Sequence, residues 1–413
     1  MTIITYKSNE RDKPILEEIS ALIADSLDGW YGAGSYLDAF QSEIRSYRNC
    51  FIIRYPITRS NGTKKAILVK IRRNPKMDSL GRAVTADIHK NIPTEYGSLV
   101  SVFDYLAGVN DEFGVIRPLA YIEKYHAIIM EEYPSRTLRQ ILINQRSSQD
   151  VTGMNDLMDA AEKTGKWLYF FHHKIHRAVE VPYSTKDVIQ LVESYAYPLE
   201  RYSNGSIQAR SILDAFSRRL ENITFDSVLF SQSHADMTCD NVLYSDDKKV
   251  CVIDIKTRPA PIFSDLGLIL THPETFKLQI LSGGIYLPKF LLRKYRAAIL
   301  TGYFGTETEN AFFVKLFSAV KVLDKWTMYE ELISKYKGIK HLLSFPVGPH
   351  VTAYFRRTLV RHLNSLGRET ENMLDPENDK PARTTSGPWM SWIFLFGTQL
   401  YQASLEINIF LAA

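Results

Sequence analysis

The chain has 413 residues, of which 45% are hydrophobic and 23% are charged, and its formal net charge at pH 7 is +4. This composition is typical of a folded globular protein with a large core, and it excludes a disordered chain. The small net charge gives no support to nucleic-acid binding, so we expect no nucleic-acid partner. Three cysteines, Cys50, Cys239 and Cys251, are too few and too unpatterned for a disulfide framework, and they favour a reducing compartment.

The ends of the chain show neither a secretion signal nor a membrane span. The N-terminus lacks the basic region and apolar core of a signal peptide. The most apolar stretch, residues 389 to 396 with four aromatic side chains, is too short to span a bilayer, and polar residues interrupt the remainder of the tail. We interpret it as a buried helix, with membrane-surface contact as the alternative. The sequence therefore predicts a cytoplasmic protein, or one peripheral at the inner face of the membrane.

The first elements in chain order are a helix and a β-hairpin. Apolar residues recur at helical spacing between residues 14 and 27, which predicts an amphipathic helix. Two β-rich runs, 50–55 and 65–71, come next across a turn-rich connection and predict a hairpin. Lys70 lies inside the second run, where a lysine needs an anionic partner unless it faces water on an edge strand. The turn before the hairpin, residues 46 to 49, contains no glycine.

A helix and two further strands come next. The helix is predicted from residue 94 to residue 106, and Glu95 near its start could simply complement the helix dipole. Strands are predicted at 115–121 and 126–133, and the chain then becomes helical. Within that helical part His172 and His176 have the spacing of a zinc pair, but no third ligand accompanies them, so we interpret them as core or solvent histidines.

The segment from residue 230 to residue 266 carries the chemistry. Asp236 is followed five residues later by Asn241, and Asp254 comes thirteen residues after that, at the end of an apolar run. Such a set can hold a hydroxyl nucleophile and a divalent metal beside a triphosphate. Each residue alone has a simpler explanation, because Asp and Asn are common in loops. Their joint spacing, with Lys70 and Glu95 upstream, favours a site.

The order His-x-Asp-x(4)-Asn followed by apolar-apolar-Asp resembles the aminoglycoside phosphotransferase and choline kinase branch of the protein-kinase-like superfamily, which phosphorylates small molecules. The resemblance implies an α+β two-lobe fold with a small β-rich N-lobe and a larger, mainly helical C-lobe. It divides the chain into an N-terminal helical extension (1–45), a nucleotide-binding N-lobe (46–133), a catalytic and acceptor-binding C-lobe (134–385) and an apolar C-terminal helix (386–413).

The resemblance also implies a nucleotide site for ATP. Lys70, in Ala-Ile-Leu-Val-Lys, would grip the phosphates and pair with Glu95. Asn49, in the glycine-free turn, would contact a phosphate. Adenine would meet the hinge, where Met130 would be the gatekeeper, Glu131 would offer its carbonyl oxygen and Tyr133 would offer its N–H.

On the transfer side the resemblance implies that Asp236 is the base that accepts the proton of the acceptor hydroxyl. His234 would hold the loop through hydrogen bonds to backbone and would complete the catalytic set with Asp236 and Lys70. Asn241 and Asp254 would hold Mg²⁺. One departure is Lys256, which stands where small-molecule kinases often have a second acidic residue. Downstream, Ser264 or Asp265 would cap a helix and brace the catalytic loop.

The acceptor is inferred from charge. Residues 274 to 368 contain 15 lysines or arginines against 6 aspartates or glutamates. A basic region argues against polycationic aminoglycosides and choline, and for an anionic or neutral acceptor such as a sugar, sugar phosphate, nucleotide or lipid-linked glycan. The predicted function is ATP-dependent transfer of the γ-phosphate to a hydroxyl of a small molecule or glycan. A catalytically weak kinase-like scaffold or nucleotide sensor is the alternative, which the glycine-free turn and Lys256 favour.

Overall fold

The computed structural model describes residues 4–6, 10–38, 43–47, 49–73, 79–84, 92–107, 111–146, 151–305, 311–335 and 347–366. The predicted C-terminal helix, with its aromatic residues, lies outside the described residues. None of the described helices is long and apolar enough to cross a membrane.

The first lobe is built on one antiparallel sheet. Its strands in the described part of the chain are β1 (Ile4–Thr5), β2 (Tyr36–Leu37), β3 (Glu43–Ser46), β4 (Cys50–Thr58), β5 (Lys64–Arg72), β6 (Pro118–Ile122) and β7 (Ala127–Glu131). Their order is β1-β3-β4-β5-β7-β6, and β2 pairs with β4. The predicted hairpin is β4 with β5, where Ile52 lies opposite Lys70 and Cys50 lies opposite Arg72.

Three helices accompany this sheet among the described residues: α1 (Lys13–Tyr31), α2 (Leu80–Val84) and α3 (Ile92–Leu106). The helix predicted at 14–27 is α1, and it buries Leu16, Ile19, Ile23 and Leu27 in one core with residues of β4 and β5. This spacing of three and four residues places the apolar side chains on one face of the helix. Helix α3 carries Glu95 in its first turn, with the side chain buried.

The second lobe is mainly helical. Its described helices are α4 (Leu138–Asn144), α5 (Val151–Tyr169), α6 (Thr185–Tyr202), α7 (Ala209–Leu220), α8 (Phe263–Thr271), α9 (Lys277–Leu281), α10 (Lys289–Phe304), α11 (Ala311–Lys335) and α12 (Val347–Leu366). The part of this lobe that the structure describes also has six short strands: β8 (Arg136–Thr137), β9 (Val179–Pro182), β10 (Ser227–Ser233), β11 (Val242–Tyr244), β12 (Val250–Val252) and β13 (Arg258–Pro261). They form two sheets, ordered β13-β10-β9 and β12-β11-β8.

Helices α5 and α10 cross at a pair of glycines. A Cβ atom added to Gly165 would lie 2.0 Å from the carbonyl oxygen of Ile299, and one added to Gly302 would lie 1.9 Å from the carbonyl oxygen of Glu162. Both distances are far below van der Waals contact, so the two backbones touch directly. This crossing lies in the main core of the second lobe, which also includes Trp167 and Met237, the latter from the segment between β10 and β11.

The region from 179 to 224 forms β9, α6 and α7. Helices α6 and α7 pack with α11 and α12 in a second apolar core. The molecule thus has a small lobe around an antiparallel sheet and a larger helical lobe, which confirms the predicted α+β two-lobe fold. Strands β1, β2 and β3 lie between residues 4 and 46, which is almost wholly the segment predicted as an N-terminal helical extension. All three belong to the sheet of the small lobe.

Candidate active site

The segment between β10 and β11 carries His234, Asp236 and Asn241. Its sharp turn depends on Ala235, whose φ of 64° lies in the left-handed region. The side-chain nitrogen of Asn241 donates to the carbonyl oxygen of Asp236 at 2.8 Å. The carbonyl oxygen of Asn241 accepts from the N–H of Ile253 at 2.9 Å. These bonds hold Asn241 beside Asp236 and fasten the segment to the end of β12.

His234 ties this segment together from inside. Its side chain is fully buried, and Nε2 lies 2.9 Å from the carbonyl oxygen of Ile253. Because a carbonyl only accepts, Nε2 carries the proton, and Nδ1 is then able to accept the N–H of Asp236 at 3.3 Å. Burial lowers the pKa of His234, which keeps the ring neutral at pH 7. These are the backbone contacts expected of a residue that holds the loop.

Asp265, in the first turn of α8, braces the same segment. Its carboxylate accepts hydrogen bonds from Ser233 Oγ at 2.7 Å and from the backbone N–H groups of His234 at 2.6 Å and Ala235 at 3.2 Å. Burial raises the pKa of Asp265, but its bond to His172 and nearby charge outweigh this and hold the pKa below the ordinary value. The prediction that Asp265 or Ser264 caps α8 was wrong, because the N-cap residue is Ile262 and has no side-chain cap.

His172, which the sequence analysis noted, and Asp240 both have structural partners. His172 is fully buried, with Nε2 3.1 Å from Asp265 Oδ2 and Nδ1 2.9 Å from the hydroxyl of Tyr303. It is a core histidine, as interpreted from the sequence. Asp240, the other carboxylate of the β10–β11 segment, lies 3.2 Å from Arg139 of α4.

Asp254, two residues after β12, is held by three cations. Its backbone φ of 63° is left-handed, which aims the side chain out of line with the strand. Lys70 contacts Oδ1, and a guanidinium nitrogen of Arg72 lies 3.0 Å from the same oxygen. On the other side, Lys256 Nζ lies 3.4 Å from Oδ2. Burial raises the pKa of Asp254, but the attraction of the three cations outweighs it and the net pKa lies below the ordinary value.

The expected pair of Lys70 with Glu95 is present, at 2.6 Å between Nζ and Oε1. The side chains of Lys70 and Glu95 are only 9% and 10% exposed. Burial lowers the pKa of Lys70, but Asp254 and Glu95 outweigh this and the net pKa is raised, so the ammonium stays charged. Lys70 on β5 thereby links α3 of the first lobe to Asp254 of the second.

Arg72 belongs to the same site, although the sequence did not single it out. Its guanidinium donates to Glu95 Oε2, at 2.6 Å from Nη2 and 3.0 Å from Nε. Lys70 and Arg72 are two residues apart on β5, so both side chains project from one face of the sheet. That spacing is the signal that could have identified it. The site therefore has two cations on the strand rather than one.

Asp236 meets Lys256 across the site. Lys256 Nζ lies 2.9 Å from Asp236 Oδ2, and each side chain is a little over one third exposed, at 37% and 38%. Together with the pairs on Asp254 and Glu95, this contact completes a cluster of three cations and three carboxylates, which we call the inter-lobe ion cluster. Its members are Lys70, Arg72, Lys256, Glu95, Asp236 and Asp254.

The predicted hinge residues lie at the end of β7 and just beyond it. Met130 is buried and lies opposite Leu68 of β5. The N–H of Glu132 donates to the carbonyl oxygen of Ala66 at 2.8 Å. Because N–H and C=O of one trans peptide point in opposite directions, the carbonyl of Glu131 is directed away from β5.

Asn49 lies in the turn between β3 and β4. Its carbonyl oxygen accepts the N–H of Arg73 at 2.9 Å, and its side chain is exposed. The next residue, Cys50, lies opposite Arg72 in the sheet. The turn is therefore at the end of the sheet where Arg72 of the inter-lobe ion cluster lies.

No family model matches the sequence, and no curated protein matches it. The fold is similar to that of a macrolide 2'-phosphotransferase type I (13% identity, TM-score 0.46, covering 86% of this chain and 98% of that one). It is also similar to a glucosamine kinase in complex with glucosamine, ADP and inorganic phosphate (11%, 0.49, 86% and 87%). A third similar structure is a choline kinase from Cryptosporidium parvum Iowa II (13%, 0.44, 84% and 94%). These are small-molecule kinases, the group that the sequence motifs resemble.

Proposed function

We propose that this chain is an ATP-dependent phosphotransferase that moves the γ-phosphate to a hydroxyl group of a small molecule or glycan. The observation that carries the proposal is the inter-lobe ion cluster. Three components meet between the lobes in this cluster. They are cations that can bind a polyphosphate, a carboxylate that can accept the proton of a hydroxyl, and oxygen ligands for a divalent metal. Phosphoryl transfer needs these parts because positioning and charge neutralisation supply most of its catalysis.

Lys70 and Arg72 are the proposed phosphate-binding cations. Both side chains are largely buried and remain charged, since carboxylates raise the pKa of each above its ordinary value against the effect of burial. Glu95 contacts both at 2.6 Å and so fixes their direction. Adenine then binds against Met130, with the carbonyl of Glu131 and the N–H of Tyr133 as its hydrogen-bond partners. Asn49 supplies a further phosphate contact from its turn.

Asp236 is the proposed base. It lies on a segment held by His234 and Asp265, so its backbone is fixed before any ligand binds. Its carboxylate is over one third exposed, at 38%, and is therefore open to an acceptor on the solvent side. In the reaction Asp236 orients the acceptor hydroxyl and takes its proton as the oxygen attacks the γ-phosphorus.

The oxygen atoms of Asn241 and Asp254 fit Mg²⁺, which prefers carboxylate and amide oxygens. Among the described residues, no group of three or more His, Cys, Asp or Glu side chains could hold a metal by itself. In the proposed site the metal would share its coordination with phosphate oxygens, as Mg²⁺ in nucleotide sites commonly does. When bound, it would neutralise charge on the β- and γ-phosphates.

The acceptor is proposed to be anionic or neutral, although part of the basic character is structural. Glu274 is buried and holds Arg296 at 2.7 Å, Arg361 at 2.5 Å and His362 at 2.8 Å. Glu274 therefore compensates the charges of Arg296 and Arg361, although the Arg361 side chain is still 55% exposed. Other arginines line an open cleft of about 820 Å³, namely Arg201, Arg356 and Arg357. Sugars, sugar phosphates, nucleotides and lipid-linked glycans are the first acceptors to test.

The test is transfer of labelled phosphate from ATP in the presence of Mg²⁺, with the wild type compared with Asp236→Asn. The amide keeps the shape of the carboxylate but accepts a proton poorly, so we expect turnover to fall by about 10²- to 10⁴-fold, the contribution of a general base. Nucleotide affinity should remain, because Asp236 is not among the proposed nucleotide contacts. Calorimetry with a non-hydrolysable ATP analogue measures that affinity.

Two other results have clear meanings. A wild type that binds the analogue but transfers phosphate to no acceptor pool would favour the scaffold or nucleotide sensor. A wild type that binds no nucleotide would refute the assignment. As a matched control, Asp240→Asn changes the other carboxylate of the same segment, which is paired with Arg139, and should leave turnover within a few-fold of the wild type.

A further inference from the structure

Lys256 lies between the proposed base and the proposed metal ligand. Its ammonium nitrogen is 2.9 Å from Asp236 Oδ2 and 3.4 Å from Asp254 Oδ2. Its backbone N–H donates to the carbonyl oxygen of His234 at 3.2 Å. The backbone of Lys256 is thus fixed to the β10–β11 segment, and its side chain ends between two carboxylates.

Two carboxylates that share one cation repel each other when that cation is removed. Such a pair attracts a divalent ion, and sites of this kind commonly hold two metals about 3.5–4 Å apart. Here the space between Asp236 and Asp254 is already occupied by an ammonium group. Unlike a metal, this cation cannot leave the protein, and it carries one charge rather than two.

The two oxygens of Asp254 are held from opposite lobes. Lys70 and Arg72 of the first lobe contact Oδ1, while Lys256 of the second lobe faces Oδ2. A triphosphate competes with Asp254 for Lys70 and Arg72, because it offers them more negative charge. The triphosphate does not displace Lys256 in the same way, because Lys256 is also paired with Asp236.

We propose that Lys256 is a positioning residue that replaces one of two divalent ions, so that the site takes a single metal ion per bound nucleotide. This inference rests on the proposed function. Lys256 holds Asp236 in the direction of the acceptor and neutralises the Oδ2 side of Asp254. Asn241 and Asp254 would then hold one metal ion together with the phosphates, and that ion would supply the remaining charge neutralisation.

The test counts metal ions directly. Mn²⁺ bound per chain is measured by electron paramagnetic resonance at a saturating concentration of a non-hydrolysable ATP analogue. We expect one Mn²⁺ in the wild type and in Lys256→Arg, and two in Lys256→Asp, which adds an oxygen ligand in place of the ammonium. Lys277→Asp makes the same charge change at an exposed lysine of α9 and should keep one ion.

A kinetic measurement separates positioning from simple folding. Lys256→Gln keeps most of the length of the side chain but loses its charge, so we expect turnover to fall about tenfold or more with the KM for ATP within about twofold of the wild type. Lys256→Arg should restore most of the turnover. Circular dichroism of each variant checks that the fold is intact.

The outcomes are distinct. Two Mn²⁺ ions in the wild type, or one in a folded Lys256→Asp, would overturn the inference while leaving the phosphotransferase proposal in place. Equal turnover in the wild type and Lys256→Gln would also overturn it. If the wild type fails to bind the analogue, the proposed function itself is wrong, and the inference is lost with it.

Discussion

Charge compensation governs the residues of the inter-lobe ion cluster. Lys70, Glu95 and Arg72 are each less than one fifth exposed at the side chain, so their charges are poorly solvated. Buried ions are tolerated when each has a partner, and removing one partner leaves another charge uncompensated. A substitution of any cluster member except Asp236 therefore changes two or three ion pairs at once, and effects on ligand binding must be measured beside effects on stability.

Arg72 gives a prediction at this scale. Replacing it by methionine keeps the aliphatic stem and removes the guanidinium that contacts Glu95 and Asp254. If Arg72 also binds phosphate, affinity for a non-hydrolysable ATP analogue should fall about tenfold or more, since one charge-assisted hydrogen bond contributes ~1.5–3 kcal/mol. Calorimetry measures the change.

The control for this prediction is Lys124→Met, which removes an exposed ion pair with Glu18. Such pairs contribute little, and this one is not part of the inter-lobe ion cluster, so affinity should be unchanged. Equal affinities in the wild type and Arg72→Met would show that Arg72 pairs with Glu95 and Asp254 but does not bind phosphate.

Individual site residues differed in how far the sequence could predict them. The pairing of Lys70 with Glu95 was predictable from their element types and the resemblance, and the structure has it. Arg72 was not singled out, because an arginine near a strand end is equally consistent with an exposed position. The contact of Lys256 with Asp236 joins residues 20 positions apart through a left-handed turn, which no local pattern encodes.

At the scale of elements, direct backbone contact sets the packing of the second lobe. Helices α5 and α10 approach through Gly165 and Gly302, and α8 approaches α11 through Gly267, whose added Cβ would lie 2.7 Å from the backbone of Phe317. Because α8 carries Asp265, the close contact of α8 with α11 also fixes the residue that braces the β10–β11 segment. At these positions glycine allows two helix backbones to approach closely, and its wider range of backbone angles is not needed.

Gly165→Ala tests this packing. The added methyl group would meet the carbonyl oxygen of Ile299, a backbone atom that cannot rotate away, so the helices must separate. We expect the free energy of unfolding to fall by about 1–3 kcal/mol, the usual cost of overpacking. Urea denaturation measures it.

The matched control is Gly29→Ala in α1, where nothing lies within 4 Å of the added Cβ. There the higher helix propensity of alanine should raise stability by up to about 1 kcal/mol. Equal effects of the two substitutions would mean that the α5–α10 contact is loose in solution.

Periodicity predicted the long elements well. Helix α1 and the β4–β5 hairpin follow from apolar spacing and were found within a few residues of the predicted bounds. The short strands β1 to β3 were not predicted, because strands of two to four residues are too brief to show alternation and form by pairing with distant segments. The π-helical turn Phe170–Ile175 at the end of α5 also lacks a local signal.

At the scale of the whole molecule, buried histidines make stability depend on pH. Burial, together with the positive charges of Lys325 and Arg139, lowers the pKa of His272 well below its ordinary value. In the folded state His272 is therefore neutral at a pH where the unfolded chain, with a pKa of about 6.5, is protonated. The unfolded state then binds more protons, so stability is lost as the pH falls below about 6.5.

His272→Asn isolates this effect. Asparagine keeps an acceptor for the N–H of Cys239, which lies 3.1 Å from Nδ1, but it does not titrate. Between pH 7.5 and pH 5.5 the wild type should lose ~1.4 kcal/mol more unfolding free energy than the variant, the value of one pKa unit. Urea titrations at the two pH values measure the difference. A wild type and variant with the same loss would show that His272 titrates normally in the fold.

The inter-lobe ion cluster also has a consequence for how ligands arrive. Its three ammonium or guanidinium groups are balanced by three carboxylates, so before any ligand binds their fields cancel beyond a few ångströms. Electrostatic steering requires uncompensated charge in a cleft. The cluster therefore exerts little long-range attraction on an approaching anion and attracts it strongly only at contact distance. The association rate is then set by diffusion and by the charges of the outer surface, and not by the residues that bind the ligand.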